Sequence, residues 1–298
     1  MHDPKLDLPA ALMLLALAAI WGGAFFFGAV AVEQVPPLTV TLHRVGWAVP
    51  VLALVVAIRR IPWPRSPRIW GAYLVMGALN NALPFSLIFW GQTRIDSGLA
   101  AILNGTTALF GAVVAGLLLR DEPLTWPKAL GAGLGLIGVA LIIGPDALTG
   151  LNPANLAQLA ILGAALSYAL AGVWGKTRLA GQPPLMNALG MLIGSTVVMT
   201  PVVLIVDGPP SLGLSAASWG ALAGLAILST AVAYLLYFAI LARAGAANLM
   251  LVTLLIPPFA IVLGALFLGE TLMPRAWIGF AVIALGLITS DGRLFARR

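Results

Sequence analysis

Long apolar runs, each ended by proline or charged residues, divide the chain into segments of similar length. A helix needs about 20 apolar residues to cross a bilayer, and ten of these runs are long enough. Proline pairs such as Pro36-Pro37 and Pro183-Pro184 mark several of the breaks. The pattern predicts an all-α integral membrane protein with ten transmembrane helices, at residues 9–32, 37–58, 68–90, 97–119, 125–143, 155–175, 184–206, 216–240, 246–268 and 274–291.

The chain repeats itself at a distance of 148 positions. Gly116 falls on Gly264, and Glu122 falls on Glu270 without a gap. Each copy contains an apolar helix, a short charged break and a second helix rich in glycine. Self-similarity of this length in an apolar chain is typical of duplicated transporters. We therefore predict two five-helix repeats, over residues 1–147 and 148–298, and because five is odd the second repeat is inverted.

Basic residues are distributed unevenly between the predicted loops. With the N-terminus in the cytoplasm, 13 of the 16 Lys and Arg residues lie on the cytoplasmic side. Only Arg94 and Arg275 lie outside, and Arg44 falls within a helix. The positive-inside rule then predicts a multi-pass membrane protein with both termini in the cytoplasm.

Composition excludes several classes of protein. Hydrophobic residues make up 61% of the chain and charged residues 9%, against roughly 25% charged in soluble domains. The net charge of +6 comes from scattered residues, so nucleic acid is not an expected partner. Cysteine is absent, which excludes disulfides and cysteine metal sites. The first apolar run is too long for a cleaved signal peptide and is expected to remain as an anchor.

Amide and aromatic side chains interrupt the apolar helices near mid-membrane. Asn80 and Asn81 are adjacent, and Pro84 one turn later is expected to free the carbonyl oxygen of Asn80. Because unpaired polar groups are costly in lipid, we expect these amides to line a cavity; the alternative is a hydrogen bond that only joins helices. The other candidates for this substrate-binding lining, against ordinary helix packing, are Trp21, Asn104, Tyr168, Trp174, Tyr234 and Tyr237.

His43 and Arg44 are the most polar pair inside a predicted helix. Arg44 lies about seven residues from the helix end, so about 10 Å deep. Its repeat counterpart is Met191, so the charge occurs in one half only. Arg44 is a candidate for binding a substrate carboxylate, and His43 is a candidate substrate-binding residue beside it. The alternative for Arg44 is structural: it could snorkel outward or cap helix-end carbonyl groups.

Acidic residues are missing from the middle of every predicted helix. A carboxylate proton relay therefore has no candidate, and no Walker motif offers ATP binding. We expect no cofactor and no metal site, and strong coupling to ions is in doubt. An intramembrane enzyme would need a nucleophile with a base, yet the only histidines are His2 and His43.

The two five-helix halves, the Trp21-Gly22-Gly23 step, Arg44 and the paired glycine–glutamate helix ends resemble the drug/metabolite transporter superfamily, specifically its EamA-type ten-helix exporters. The resemblance covers nearly the whole chain. It implies efflux of amino acids and other small metabolites across the bacterial inner (plasma) membrane. It also implies a central cavity built mainly from the first four helices of each half, with the fifth and tenth helices peripheral. Relatives with four helices use a glutamate in the first helix for proton coupling, whereas this chain has Trp21 and no acid there.

These observations predict a secondary transporter, not an enzyme. It would export amino acids, aromatic or otherwise apolar, by alternating access, with the lipid bilayer and the small-molecule substrate as its partners. The alternatives are a multidrug or other metabolite exporter of the same fold and, third, an intramembrane enzyme. The glycines of the fifth and tenth helices could pack a dimer or could hold these helices against their own bundle, so the oligomeric state stays open.

Overall fold

The computed structural model describes residues 7–144 and 152–291. Within these residues the chain is helical and contains no strand, which confirms the predicted fold class. The ten helices are α1 Leu8–Val32, α2 Pro37–Ile58, α3 Pro67–Gln92, α4 Ser97–Leu118, α5 Trp126–Ile143, α6 Pro153–Arg178, α7 Pro184–Val206, α8 Ala216–Gly245, α9 246–268 and α10 Pro274–Asp291. Eight helices are long and apolar enough to cross a membrane, and two shorter apolar helices, Val252–Leu268 and Pro274–Ser290, complete the set.

The helix ends lie within three residues of the predicted ones, except that α8 continues to Gly245. Gly245 has a positive φ of 78°, and α9 begins directly after it. A turn at residues 250–251 interrupts α9, much as Gly105 and Thr106 interrupt α4. The basic residues Lys5, Arg293, Arg297 and Arg298, and the predicted boundary between residues 147 and 148, lie outside the described residues.

Local chemistry explains where several helices begin. The side chains of Asp7, Asn152 and Ser215 each accept a hydrogen bond from a backbone N–H in the first turn of α1, α6 and α8. Pro37 and Pro184 occupy the first position of α2 and α7, where the missing N–H costs nothing. The polar and proline breaks in the sequence are therefore the helix starts.

The helices of the two halves, α1–α5 and α6–α10, interleave. Helix α1 packs along α9 and α4 packs along α6; likewise α2 packs along α8 and α3 along α7. Two further pairs, α2 with α7 and α5 with α10, join equivalent helices. The α1–α9 contact thus has its exchanged copy in α4–α6, and the α2–α8 contact has its copy in α3–α7, which is the arrangement that an inverted repeat predicts.

Glycines bring α5 and α10 into backbone contact. A β-carbon added at Gly138 would lie 2.8 Å from the carbonyl oxygen of Gly279, and one at Gly286 would lie 2.7 Å from that of Gly131. Gly135 leaves room for Leu109 of α4, through which the pair is joined to the bundle. The glycine-rich faces are therefore used within the chain, which is one of the two roles that the sequence left open for them.

In the part of the chain that the structure describes, three helices contain π-helical turns: α3 at Ala78–Ala82, α8 at Gly224–Val232 and α9 at Gly264–Leu268. In α3 the N–H of Leu83 bonds the carbonyl of Ala78, five residues back. Pro84 cannot repeat this bond, so the carbonyl left over is that of Leu79, which accepts a hydrogen bond from the Ser167 hydroxyl at 2.6 Å. That Pro84 also frees the Asn80 carbonyl stays a prediction.

Candidate substrate-binding site

Asn80 and Asn81 of α3 meet Tyr234 of α8 in the middle of the bundle. The Asn80 Nδ2 donates to the Tyr234 hydroxyl at 3.4 Å and to the Asn81 Oδ1 at 3.3 Å. The Tyr234 hydroxyl donates to the same Asn81 Oδ1 at 3.5 Å. These bonds are long, so each is weak and can be exchanged for a bond to a ligand. Polar groups from both halves therefore share one network.

Helix α7 closes this network on another side. The Asn80 Nδ2 also lies 3.5 Å from the sulfur of Met191, and the Asn81 Nδ2 donates to the Ser195 hydroxyl at 3.4 Å. The sequence did not single out Met191 or Ser195 as site residues, since methionine and serine are ordinary in membrane helices. One signal was available: Met191 is the repeat counterpart of Arg44, which also lies here.

Arg44 is buried, with 7% of its surface exposed. Its Nε donates to the Thr230 hydroxyl at 3.1 Å, and its guanidinium carbon lies 3.7 Å from the centre of the Phe85 ring. The Thr230 hydroxyl itself donates to the Leu225 carbonyl, at 2.9 Å. Arg44 therefore neither snorkels outward nor caps a helix end, and both structural roles considered for it were wrong. Its neighbours hold it inside the bundle instead.

These contacts define one group, which we call the central cluster. Tyr168 of α6 belongs to it, because its ring meets the Phe85 ring edge-on at 6.5 Å. The members of the central cluster are Arg44, Asn80, Asn81, Phe85, Tyr168, Met191, Ser195, Thr230 and Tyr234. These residues lie on five helices, α2, α3, α6, α7 and α8. Pro84 is buried beside it in α3.

An aromatic chain runs from the central cluster to α1. Tyr234 stacks with Phe238 at 6.4 Å between ring centres, and Phe238 meets Tyr237 edge-on at 5.2 Å. Tyr237 in turn lies 6.0 Å from Trp21. Trp21 and Tyr237 are thus joined to the cluster through rings alone. Aromatic faces next to neutral amides form a lining suited to a ligand with an apolar ring and a polar head.

His43 and Trp174 lie apart from the central cluster. The His43 ring packs edge-on against Trp47 and Trp219, at 5.0 and 6.0 Å, and lines a pocket of about 120 Å³ with Asp207. The Trp174 Nε1 donates to the Ala72 carbonyl at 3.0 Å. Sequence position alone could not reveal this, because side chains one residue apart on a helix point in different directions.

Asn104 ends the first segment of α4, and its Oδ1 is buried without a partner among the described residues. The neighbouring hydroxyls of Thr106 and Thr107 bond carbonyl groups of their own helix, at 2.6 and 2.7 Å. The two threonine hydroxyls therefore form hydrogen bonds with backbone carbonyl groups at the break in α4. The side-chain oxygen of Asn104 accepts no hydrogen bond from the described residues. No contact among the described residues joins Asn104 to the central cluster.

A wide pocket of about 590 Å³ opens at the end of the bundle that contains Glu270, which we call the Glu270 end. Gln92, Arg94 and Asp96 contribute to its wall. The Glu270 carboxylate accepts hydrogen bonds from the Ser97 N–H at 2.8 Å and the Ser97 hydroxyl at 2.7 Å, so it caps α4 from the other half. Burial raises the pKa of the Asp96 carboxyl, and the nearby Glu270 charge raises it further.

In residues 7–144 and 152–291, no group of three or more His, Cys, Asp or Glu side chains could hold a metal ion. The arrangement is that of a helical membrane carrier with a polar centre. The chain belongs to the EamA-like transporter family, whose model matches residues 8–144 and again 155–290. It is thus a multi-pass membrane transporter of small metabolites, within the drug/metabolite transporter superfamily that the sequence resembled.

The chain is 29% identical to protein PecM of Dickeya dadantii, over 94% of this chain and 91% of that one. It is 24% identical to a probable terminal-alkyne amino-acid exporter of Streptantibioticus cattleyicolor, over 98% and 97% of the two chains. A crystal structure with 18% identity superposes with a TM-score of 0.68, covering 97% of this chain and 99% of that one, and shows the fold alone. A finer resemblance, to the amino-acid exporter YddG, stays a prediction.

Proposed function

We propose that the protein exports amino acids with aromatic or other apolar side chains, and related small metabolites, across the bacterial inner membrane by alternating access. The observation that carries the proposal is the central cluster, where Asn80, Asn81 and Arg44 of one half meet Tyr234 of the other. A site between inverted halves near the midplane is the arrangement of many secondary transporters. The similarity to a protein named as a probable amino-acid exporter supports the same class.

The lining of the cluster suits such a substrate. An apolar side chain can lie against Phe85 and Tyr168, where ring contacts contribute about 0.5–1.5 kcal/mol beyond their burial. The amides of Asn80 and Asn81 offer both donors and acceptors to the polar head. Their present bonds of 3.3 to 3.5 Å are weak, so exchanging them for bonds to a substrate costs little.

Alternating access requires that contacts across the halves break and form again. The Glu270 cap on α4 joins the halves at the end where the wide pocket lies. With both termini in the cytoplasm, as we propose, this end faces the periplasm. The pocket would then serve as the exit.

Uptake into liposomes that contain the purified protein tests the proposal. Labelled phenylalanine, tryptophan and threonine and a cationic dye are offered, with and without a pH gradient. We expect saturable uptake of phenylalanine and tryptophan, unchanged by the gradient because no acid lies in the cluster. Uptake driven by the gradient would reveal a proton site, with His43 as its first candidate.

A multidrug or other metabolite exporter is the second candidate, favoured by the aromatic chain from Trp21 to Tyr234. Dye transport without amino-acid flux would support it and would contradict the amino-acid proposal. A third candidate, an intramembrane enzyme, would need a base beside a nucleophile. His43 is the one histidine among the described residues, and its Nε2 has no hydrogen-bond partner there.

A further inference from the structure

Resting on the proposed amino-acid export, we infer that the site recognises the carboxylate of its substrate through Arg44 and has no charged partner for the ammonium group. Aryl carboxylates that lack an amine would therefore bind, whereas aryl amines that lack a carboxylate would not. The inference follows from the contacts of Arg44, from the position of every described acid and from the orientation of the guanidinium.

The guanidinium of Arg44 is incompletely paired. Its Nε is used by Thr230, but no acceptor among the described residues lies within hydrogen-bond distance of its two Nη atoms. The ion pairs of Lys176 with Asp121 and Glu122, and of Arg243 with Asp7, are on exposed side chains and do not involve Arg44. A buried cation without a counter-ion is costly, so the position is favourable for an anionic ligand.

The contacts of the Arg44 guanidinium leave its two terminal Nη groups available to a ligand. One face is covered by the Phe85 ring at 3.7 Å, and the Nε edge is held by Thr230. The Thr230 hydroxyl donates its own proton to the Leu225 carbonyl, so its oxygen presents a lone pair to Arg44. The terminal Nη pair remains, and this planar pair matches the two oxygens of a carboxylate. Thr230 and Phe85 are thus positioning residues.

No acid among the described residues offers equivalent binding to an ammonium group. The described Asp and Glu residues lie at helix ends or in loops, at Asp7, Glu33, Asp96, Asp121, Glu122, Asp207, Glu270 and Asp291. Near the cluster an ammonium group would meet only neutral acceptors, such as the Asn81 Oδ1, and aromatic faces. Charge-assisted hydrogen bonds are about twice as strong as neutral ones, so the carboxylate dominates recognition.

Competition against labelled phenylalanine in proteoliposome exchange tests the inference on the unaltered protein. The competitors are 3-phenylpropionate, which lacks the amine, and phenethylamine, which lacks the carboxylate. We expect 3-phenylpropionate to inhibit at a concentration about tenfold or more below that of phenethylamine, because bonds to a charged group are worth about 1.5–3 kcal/mol. Equal inhibition, or stronger inhibition by phenethylamine, would overturn the inference and leave amino-acid export standing.

Absence of phenylalanine exchange in folded protein would instead contradict the proposed function, so the two failures are distinguishable. In Arg44→Gln we expect phenylalanine exchange to fall about tenfold or more and inhibition by 3-phenylpropionate to disappear. Arg44→Lys keeps the charge without the fork, so it should retain part of both. Arg243→Gln, an exposed arginine of α8 paired with Asp7, is the matched control and should change neither. Retained 3-phenylpropionate inhibition in Arg44→Gln would also overturn the inference.

Thr230→Val tests the positioning role separately. Valine fills the same volume but cannot accept the bond from the Arg44 Nε. We expect the half-saturation concentration for phenylalanine to rise about threefold while the maximal rate stays near that of the unaltered protein. Thr200→Val, an exposed threonine of α7 whose hydroxyl bonds its own helix at 2.8 Å, is the control. An unchanged half-saturation concentration would remove Thr230 from the site.

Discussion

The α5–α10 pair and the central cluster differ in how tightly their groups are packed and paired. Between α5 and α10, glycines let two backbones touch, and apolar side chains such as Ile142 and Ile283 fill the remaining space. In the central cluster the polar groups are held by long hydrogen bonds and an arginine keeps free donors. Close packing drives helix association in lipid, where no hydrophobic force acts between helices. Rigid packing at the periphery therefore lets the centre remain loosely paired.

The difference also separates stability from transport. A cavity or a steric clash between α5 and α10 would lower the stability of the fold directly, because the two helices are in close backbone contact. A change in the central cluster removes polar groups that are only partly satisfied, so it removes little stability. Substitutions in the two regions should accordingly give opposite results in unfolding and transport measurements.

The largest effect is expected for Gly138→Leu. The new side chain would overlap the carbonyl of Gly279 and the side chain of Ile283, and overpacking of this kind costs about 1–3 kcal/mol or more. Thermal unfolding in detergent and the amount of protein in membranes should both fall. Gly133→Leu on the same helix, where nothing lies within 4 Å, is the matched control. Equal behaviour of the two variants would contradict the close contact.

Asn81→Ala should act on transport more than on stability. Asn81 is fully buried and contacts Asn80, Ser195 and Tyr234, so its loss should lower phenylalanine uptake about tenfold. Asn187→Ala is the control, since Asn187 accepts a bond from Tyr73 at 3.0 Å outside the cluster. That control should lower the unfolding temperature and leave uptake intact. Normal uptake by folded Asn81→Ala would remove this residue from the site.

Tyr234→Phe keeps the ring and removes the hydroxyl that bonds both asparagines. We expect uptake to fall about threefold, the effect of a neutral hydrogen bond. Tyr237→Phe is the matched change, because Tyr237 contacts Trp21 and Phe238 through its ring. It should leave uptake unchanged. A larger effect at Tyr237 would place the substrate along the aromatic chain instead of at the amides.

The smallest effect concerns Asp96 at the Glu270 end. Its raised pKa means that the folded state favours the protonated acid, and this stabilisation is lost as the pH rises through the folded pKa. Asp96→Asn imitates the protonated form, so at pH 7 it should unfold about 1–2 °C higher, with the difference vanishing near pH 4.

Asp121→Asn is the control, because the pKa of Asp121 is shifted in the opposite direction from that of Asp96. A hydrogen bond from Lys176 lowers the pKa of Asp121, so this carboxylate stabilises the fold only above its ordinary pKa. At pH 7 the Asn variant should therefore not unfold at a higher temperature. A rise for both variants would mean that loss of charge alone, and not the surroundings of Asp96, explains the result.

Most of the fold could be predicted because each membrane helix has a long apolar run and a proline or polar start. The π-helical turns could not, since one extra residue within an apolar helix leaves no trace in the hydropathy pattern. For that reason the hydrogen bond from Ser167 to the Leu79 carbonyl, within the π-helical turn of α3, could not be predicted. The roles of the α5 and α10 glycines likewise needed the contact between the helices.

The candidate site was predictable where polarity itself is the signal, as at Arg44, Asn80 and Asn81. Met191, Ser195 and Phe85 resemble ordinary membrane residues, and only their neighbours reveal them. His43 and Trp174 carry equally conspicuous side chains, yet they are held by local partners at Trp47 and Ala72. The rotation of a helix about its axis decides whether a side chain points into the central cluster or elsewhere. In a bundle this rotation is set by packing against other helices. The binding roles themselves stay predictions.

The exchange of partners between the halves has a consequence for ancestry. A lone five-helix chain would have no α9 against its α1 and no α6 against its α4. A second copy in the same orientation could not supply these faces, whereas a copy inserted upside down would. An ancestor of half this length would have had to insert into the membrane in both orientations and form a dimer with an oppositely oriented copy. Fusion into one chain would remove that demand.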